Sequence, residues 1–102
     1  MFIFMQIKIH EGYRKAVALS DIDLLEKTFT EGKKEITLHK HFFEGEKINK
    51  EKAIEILRDL QKEDATFNIV GKESIQTALE AGIINKDGII EIQSIPVALV
   101  LM

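Results

Sequence analysis

The chain contains no cysteine and only one proline among its 102 residues. Without cysteine it can form no disulfide bond, no thiolate metal site and no cysteine nucleophile. This absence favours a reducing compartment, and we expect a cytoplasmic protein. No apolar run approaches the roughly 20 residues that a membrane-spanning helix needs, so we expect no membrane partner. The single proline leaves no proline-rich linker, and residues 1–102 are predicted to form a single domain.

An excess of positive charge is also absent, because 14 basic side chains are outnumbered by 17 acidic ones and the net charge is −3. A free-standing domain that holds nucleic acid by bulk charge would be basic. The charge is uneven, however, since residues 1–50 hold nine of the 14 basic side chains. Any contact with a polyanion is therefore expected in this half.

Signatures of catalysis are missing as well. The sequence contains no recognisable Ser-His-Asp arrangement, paired-carboxylate signature or nucleotide-binding fingerprint, and its carboxylates fall on predicted helix faces. It favours a non-enzymatic protein and predicts no catalytic residue and no cofactor.

What is present is the patterning of a globular α+β domain, with 45% hydrophobic and 30% charged residues. Alternating apolar residues and short apolar runs predict strands at 1–9, 13–19, 34–43, 66–70, 89–93 and 97–101. Helical periodicity predicts helices at 21–29, 50–63 and 73–81. The order ββαβαβαββ mixes hairpins with strand–helix–strand units. We therefore expect an α+β fold of the α/β type, with one mixed sheet of about five to six strands covered by three helices.

Local signals predict where the three helices begin and end. Ser20, with Asp23 three residues later, resembles a capping box for the first helix. Asn49 is predicted to cap the second helix, and Gly82 is predicted to end the third.

The first half of the chain interleaves basic and aromatic residues. Basic side chains can follow a phosphate backbone, and exposed aromatic rings can stack on bases. The predicted RNA-contacting residues are Lys27, Lys33, Lys34, Lys40 and Phe43. Glutamates are interleaved with them, so the alternative is an ordinary solvated surface with its aromatic rings in the core.

A second candidate site is the strand–glycine–helix segment around Asn68, Gly71 and Lys72. Unpaired amides at a helix N-terminus attract anions, and a glycine permits close approach. This predicts an anion-binding or small-ligand-binding site. The alternative is a tight turn at Gly71, with Ser74 capping the helix or lying in its first turn.

Two further patterns concern metals and partner proteins. His39 and His41 fall on one face of a predicted strand, and only His10 could complete a ligand set, so we predict no metal site and favour a solvated face. Residues 95–102 are predicted to form a core strand. If that strand were instead exposed, it would serve as a docking surface or a homodimer contact.

The most specific patterns left are the blocks Lys27-Thr28-Phe29-Thr30-Glu31-Gly32 and Asn68-Ile69-Val70-Gly71. They occur with Ala16-Val17-Ala18, Asp23-Leu24-Leu25 and Phe42-Phe43-Glu44-Gly45. Together these blocks resemble an archaeal family of uncharacterised proteins, the domain of unknown function 424 (DUF424), over essentially the whole chain. The resemblance implies a cytoplasmic archaeal protein that binds RNA or a ribosome-associated protein in translation. It implies no reaction.

The chain departs from the family pattern at two positions. Glu26 stands where the family has a glycine after the paired leucines. Val97 stands where the family tends to have a histidine after the proline. If that histidine matters to the activity of the family, this chain lacks it.

Overall fold

The structure is a computed structural model that describes residues 4–101. Its strands are β1 (Met5–His10), β2 (Ala16–Asp21), β3 (Thr28–Glu31), β4 (Lys34–Thr37), β5 (Glu46–Ile48), β6 (Thr66–Val70), β7 (Ile89–Ile92) and β8 (Ile95–Val100). Its helices are α1 (Lys40–Phe43), α2 (Lys50–Lys62) and α3 (Lys72–Ala81), and 3-10 turns form at Ile22–Leu24 and Lys86–Gly88. The first three residues of the first predicted strand lie outside the described residues.

Six strands form one mixed sheet in the order β5-β1-β2-β6-β8-β7. β2 and β6 are parallel, and every other neighbouring pair in this sheet is antiparallel. β3 and β4 form a separate two-stranded hairpin. The predicted α+β fold with a mixed sheet and three helices is confirmed. The order of elements differs, because β3, α1 and β5 were not predicted and the first predicted helix does not form.

One face of the sheet, the helical face, is covered by α2 and α3. The apolar stripe of α2 buries Ala53, Leu57 and Leu60 against alternate residues of the central strands, such as Leu19 and Ile69. Alternation along each strand directs these residues to one side of the sheet. This is the larger of the two apolar cores.

The opposite face, the hairpin face, is covered by the β3–β4 hairpin, the first 3-10 turn and α1. Leu24, Leu38 and Phe43 pack there against Ala18 and Val97, which point away from the helical face. The sheet is therefore the middle of three layers, and it is buried on both sides.

Residues 21–29 do not form the predicted helix. Ser20 is still within β2, where its hydroxyl accepts a hydrogen bond from Gln6 Nε2 at 3.3 Å. Only Ile22–Leu24 makes a helical turn, and its N-cap Asp21 makes no side-chain bond to that turn. The Ser20–Asp23 capping box is thus wrong, because Ser20 lies within β2 and its hydroxyl is bonded to Gln6 instead.

The predicted strand at 34–43 is only half correct. β4 ends at Thr37, and after Leu38 the chain turns into the short helix α1. Phe29 and Ile36 face each other across the β3–β4 hairpin, and both pack on the core of the hairpin face. The turn between β3 and β4 contains Gly32, whose φ of 63° lies in the left-handed region that favours glycine.

The hairpin β7–β8 turns at Gln93 and Ser94, both with positive φ, rather than at Pro96. Pro96 lies inside β8, opposite Glu91, and its carbonyl accepts a hydrogen bond from the Gly71 amide at 3.0 Å. The two predicted strands exist, but the second begins at Ile95, two residues earlier than predicted, and so includes Pro96.

Two predicted helix ends are confirmed. The Asn49 side chain accepts a hydrogen bond from the Lys52 amide at 2.9 Å, and Gly82 ends α3 with a left-handed φ of 78°. No helix within residues 4–101 is long and apolar enough to cross a membrane.

Candidate binding surface at one end of the sheet

The two ends of the six-stranded sheet differ in how their polar groups are satisfied. We name the end where β2 and β6 finish, at Asp21 and Val70, the capped end. We name the end where β1 and β8 finish, at His10 and Val100, the open end.

Asp21 holds the capped end together. Its carboxylate accepts hydrogen bonds from the Glu73 amide at 3.2 Å, the Ser74 amide at 2.9 Å and the Ser74 hydroxyl at 2.7 Å. These amides lie in the first turn of α3, where the helix has no internal partner for them. Asp21 therefore caps α3 from another strand, 53 residues away along the chain from Ser74.

Gly71 makes this cap sterically possible. Its φ is 111°, and a Cβ at this position would overlap the Asp21 carboxylate. The alternative interpretation of the segment, a tight glycine turn with Ser74 in the first helical turn, matches this geometry. The anion site predicted at Asn68, Gly71 and Lys72 stays a prediction. However, an anion would have to displace Asp21 from the amides of Glu73 and Ser74.

Lys34 joins the hairpin to the outer edge of the sheet. Its Nζ donates to the Glu91 carbonyl at 2.9 Å and lies 3.7 Å from Glu31 Oε2. The side-chain oxygen of Gln93 accepts a hydrogen bond from the backbone amide of Thr30, and the backbone amide of Gln93 donates to Glu31 Oε1. Lys34 thus helps to cover the edge strand β7. The sequence pattern indicated an RNA contact for this residue and gave no sign of this structural role.

The predicted RNA-contacting residues do not form one surface with stacking rings. Phe43 is only 5% exposed and packs in the core of the hairpin face, so the expectation that it is available to stack on a base is wrong. Lys27 lies just before β3, Lys33 lies in the hairpin turn, and Lys40 begins α1. Lys27 and Lys33 lie beyond opposite ends of β3, whose four residues alone span roughly 13 Å at about 3.3 Å per residue.

The histidines are not arranged on a strand face. His39 precedes α1 and His41 lies within it, and their ring centroids are 5.6 Å apart. The ring of His10 stacks on Phe42 instead, and its Nε2 donates to the Phe42 carbonyl at 2.9 Å. Among residues 4–101 no three His, Cys, Asp or Glu side chains converge as metal ligands.

At the open end, each outer strand of the sheet is too short to cover its neighbour. β5 pairs only with Met5–Ile7 of the six-residue β1. β7 pairs only with Ile95–Ala98 of the six-residue β8. Within the described chain, Leu99 and Val100 therefore have a strand partner on one side only, at β6.

Exposed apolar side chains concentrate at this end. Of the six large apolar side chains exposed within residues 4–101, four lie there: Ile9, Tyr13, Leu99 and Leu101. Leu99 continues the alternation of Val97 and so points to the hairpin face, and Leu101 follows the last residue of β8. Ile90 lies opposite Val97 and is therefore a diagonal neighbour of Leu99.

We name Ile90, Leu99 and Leu101 the β8 patch; they are 50%, 58% and 76% exposed. Beside the patch is a cavity of about 250 Å³ between the loop after α3 and the end of β8, lined by Ile83, Ile84, Asn85, Gly88 and residues 98–101. A second cavity, of about 330 Å³, lies beside the uncovered part of β1, near Ile9 and Gly45. Both cavities adjoin an incomplete edge of the sheet.

Comparison with known proteins places the chain in a family. A family model described as "Protein of unknown function (DUF424)" matches residues 9–102. The chain belongs to the DUF424 family. A comparison with curated proteins finds no match for the DUF424 chain.

A solved structure shares the fold. It is a crystal structure of an uncharacterized conserved protein from Methanopyrus kandleri, with a TM-score of 0.83 and 20% sequence identity. The match covers 97% of the DUF424 chain and 94% of the other chain. At this identity the likeness supports the three-layer fold and says nothing about a ligand.

The two departures from the family pattern have clear structural settings. Glu26 adopts a φ of 69°, a left-handed conformation that glycine adopts without steric cost, which explains why a glycine suits this position. Val97 is buried in the core of the hairpin face, so a side chain at this position points into the protein rather than into solvent.

Proposed function

We propose that the DUF424 chain is a non-enzymatic binding module that binds an apolar segment of another polypeptide at the open end of its sheet. The observation that carries the proposal is the β8 patch, three exposed apolar side chains next to a cavity of about 250 Å³. Because these side chains lie beside an unpaired stretch of strand, they flank backbone groups that can pair with another chain. The C-terminal strand is thus exposed over its last residues, as the docking alternative requires.

The size of the surface favours a segment over a second folded domain. A fully buried Leu or Ile side chain removes about 60–120 Å² of apolar surface from water, so the partly exposed β8 patch offers roughly 100–200 Å². A stable complex of two folded domains buries about 800 Å² on each partner. The patch is too small for a stable homodimer but suits a few residues of an extended segment.

The size of the cavity favours a side chain over a small molecule. Pockets for small-molecule ligands usually enclose about 300–1,000 Å³. The cavity beside the β8 patch is smaller; its lining residues include Ile83 and Ile84, and polar and apolar atoms line it in about equal measure. Its size therefore suits a single side chain of a partner.

RNA is the competing partner. Lys27, Lys33 and Lys40 support it, because they are exposed and belong to none of the ion pairs found within residues 4–101. The net charge of −3, the burial of Phe43 and the bonding of Lys34 to the sheet edge count against it. A segment of a ribosome-associated protein fits both the surface and the setting that the family resemblance implies.

A peptide display library panned on the immobilised chain tests the proposal. We expect enrichment of short peptides with neighbouring apolar residues, and binding that Leu99→Lys weakens at least about tenfold because a charge replaces an apolar contact. Lys33→Glu is the matched control, since it changes an exposed residue of the hairpin turn, and it should leave peptide binding unchanged.

Three outcomes would overturn the proposal. One is failure to enrich any peptide that responds to Leu99→Lys. Another is salt-sensitive binding of a random RNA pool that Lys33→Glu weakens, which would make RNA the partner. The third is a stable dimer in light scattering that Leu99→Lys dissociates, which would make a second copy of the chain the occupant.

A further inference from the structure

We infer that the bound segment adds to the sheet as a β-strand beside Leu99–Leu101, in the place that β7 leaves vacant, with one apolar side chain in the adjoining cavity. This inference rests on the proposed function and specifies how the β8 patch is used. It commits to an extended segment rather than to a helix or a folded domain.

The backbone of β8 provides the main reason. β7 begins at Ile89, opposite Ala98, so nothing in the described chain pairs with Leu99 and Val100 on that side. Along β7 and the turn after it, the same edge is partly covered, since Lys34 bonds the Glu91 carbonyl and the hairpin bonds Gln93. An extended peptide can use such open backbone groups directly, whereas a helix has already satisfied its own.

The loop before β7 leaves room for the added strand. Gly88 lies in this loop, and a Cβ placed on it would meet no atom within 4 Å. Gly88 also lines the cavity, together with Ile83 and Ile84. The space next to Gly88 is therefore free, and Ile83 and Ile84 form part of its wall.

The geometry of a strand predicts the pattern that the segment must carry. Successive side chains of the added strand point to opposite faces of the sheet. One would enter the cavity beside Ala98 and Val100, and the next would lie against Leu99 on the hairpin face. Two consecutive apolar residues are thus required, which an amphipathic helix would instead place three or four positions apart.

N-methylation of a display-selected peptide tests strand addition without altering the protein. A methyl group removes one amide donor and leaves the side chains in place. In a paired strand only alternate amides face the neighbouring strand. We expect losses of affinity of up to about tenfold at alternate positions of the peptide and little change at the positions between them.

A variant that fills the cavity provides the second arm. Gly88→Leu should weaken the peptide at least about tenfold, because its side chain occupies the space of the incoming one. Lys52→Leu, on the exposed surface of α2, is the matched control for an added apolar side chain. Thermal melting of both variants confirms that each is folded.

The outcomes separate this inference from the proposed function. If Leu99→Lys abolishes peptide binding but N-methylation has equal effects at every position, the docking surface stands and strand addition is wrong. Peptides that bind Gly88→Leu as tightly as the unaltered chain would likewise overturn the use of the cavity. If no selected peptide responds to Leu99→Lys, the proposed function itself fails.

Discussion

The capped end and the open end of the sheet are built from the same strands but are completed differently. At the capped end, Asp21 satisfies the first turn of α3 and Gly71 gives the carboxylate room. At the open end, β5 and β7 stop short of their neighbours, and Leu99 and Leu101 lie in solvent. Nothing within residues 4–101 covers the β8 patch, whereas the capped end has its donors and acceptors paired with one another.

The two ends therefore indicate which residues stabilise the fold and which remain available to a partner. Polar groups that bond across distant segments stabilise a structure only when every partner is in place. Apolar groups left in solvent add little to folding and remain available to a partner. Changes at the capped end should therefore alter stability, and changes at the open end should alter binding.

The largest expected effect compares two glycines. Gly71→Ala should lower the free energy of unfolding by at least about 3 kcal/mol, because φ is 111° and the new methyl group overlaps Asp21. Gly88→Ala should change it by less than about 0.5 kcal/mol, since its Cβ meets open space. Urea denaturation of both variants measures this. Equal losses would mean that the two ends do not differ as described.

The next comparison uses two isoleucines on the same face of β7. Ile92 is buried in the core of the hairpin face and Ile90 is half-exposed in the β8 patch. Ile92→Ala should cost about 2–3 kcal/mol, and Ile90→Ala less than about 1 kcal/mol, because only the first leaves a cavity. Urea denaturation curves of the two variants measure both losses. A large loss for Ile90→Ala would show that the patch is part of the core.

A smaller loss of stability is expected when the Asp21 carboxylate that caps α3 is removed. Asp21→Ala should cost about 1–2 kcal/mol, because three donors at the start of α3 lose their acceptor. Asp23→Ala is the control, since its exposed carboxylate lies in the first turn of the 3-10 segment. Thermal unfolding measures both. Equal melting temperatures for the two variants would show that the Asp21 carboxylate does not stabilise the start of α3.

A gain in stability is expected near the capped end. Glu26→Gly should raise the free energy of unfolding by about 0.5–1 kcal/mol, because relief of the left-handed strain at φ 69° exceeds the entropic cost of glycine. Glu35→Gly, in strand β4, should instead lower it. Chemical denaturation checks both signs. A loss at Glu26 would contradict strain at this turn.

The smallest effect concerns an exposed ion pair at the open end. Lys15 Nζ donates to Glu63 Oε1 at 2.9 Å, and this hydrogen bond raises the pKa of Lys15 above its ordinary 10.5. A raised pKa means that the pair stabilises the fold fully below pH 10.5 and ceases to do so as the pH rises through the higher value. Lys15→Met should remove this part of the alkaline decline, which urea titrations across that range would detect. An unchanged decline would show that the pair is unimportant.

Most of the fold could be predicted where the signal is local. The apolar stripe of α2 and its cap Asn49 lie within one segment, and so does the left-handed Gly82. The conformation of each of these segments depends on residues only a few positions away along the chain. A local sequence pattern is therefore enough to predict it. These parts were predicted correctly for that reason.

The errors arose where distant residues decide the local structure. The local pattern at Ser20 and Asp23 favoured a helix, but Gln6 bonds Ser20 and α3 uses Asp21. The alternation of Ile36, Leu38 and Phe42 suited a strand, but the chain turns after Leu38 to place Phe43 in the core. Periodicity cannot show which of two locally acceptable structures a tertiary contact will select.

The candidate site was predictable only in part. The apolar run at the end of the chain indicated a strand that could dock a partner if exposed. Its exposure arises because β7 begins only at Ile89, opposite Ala98, whereas β8 continues to Val100. These relative positions follow from the sheet topology rather than from either segment. In the same way, the bond from Lys34 to Glu91 could not be inferred from a lysine in a charged stretch.

The central claim is that the open end binds and the capped end only stabilises. The most direct test is nuclear magnetic resonance mapping of amide shifts in the chain when a display-selected peptide is added. The account predicts the largest shifts at residues 83–85, 88 and 98–101. Largest shifts at Asp21 and residues 71–74, or along Lys27 to Lys40, would contradict it.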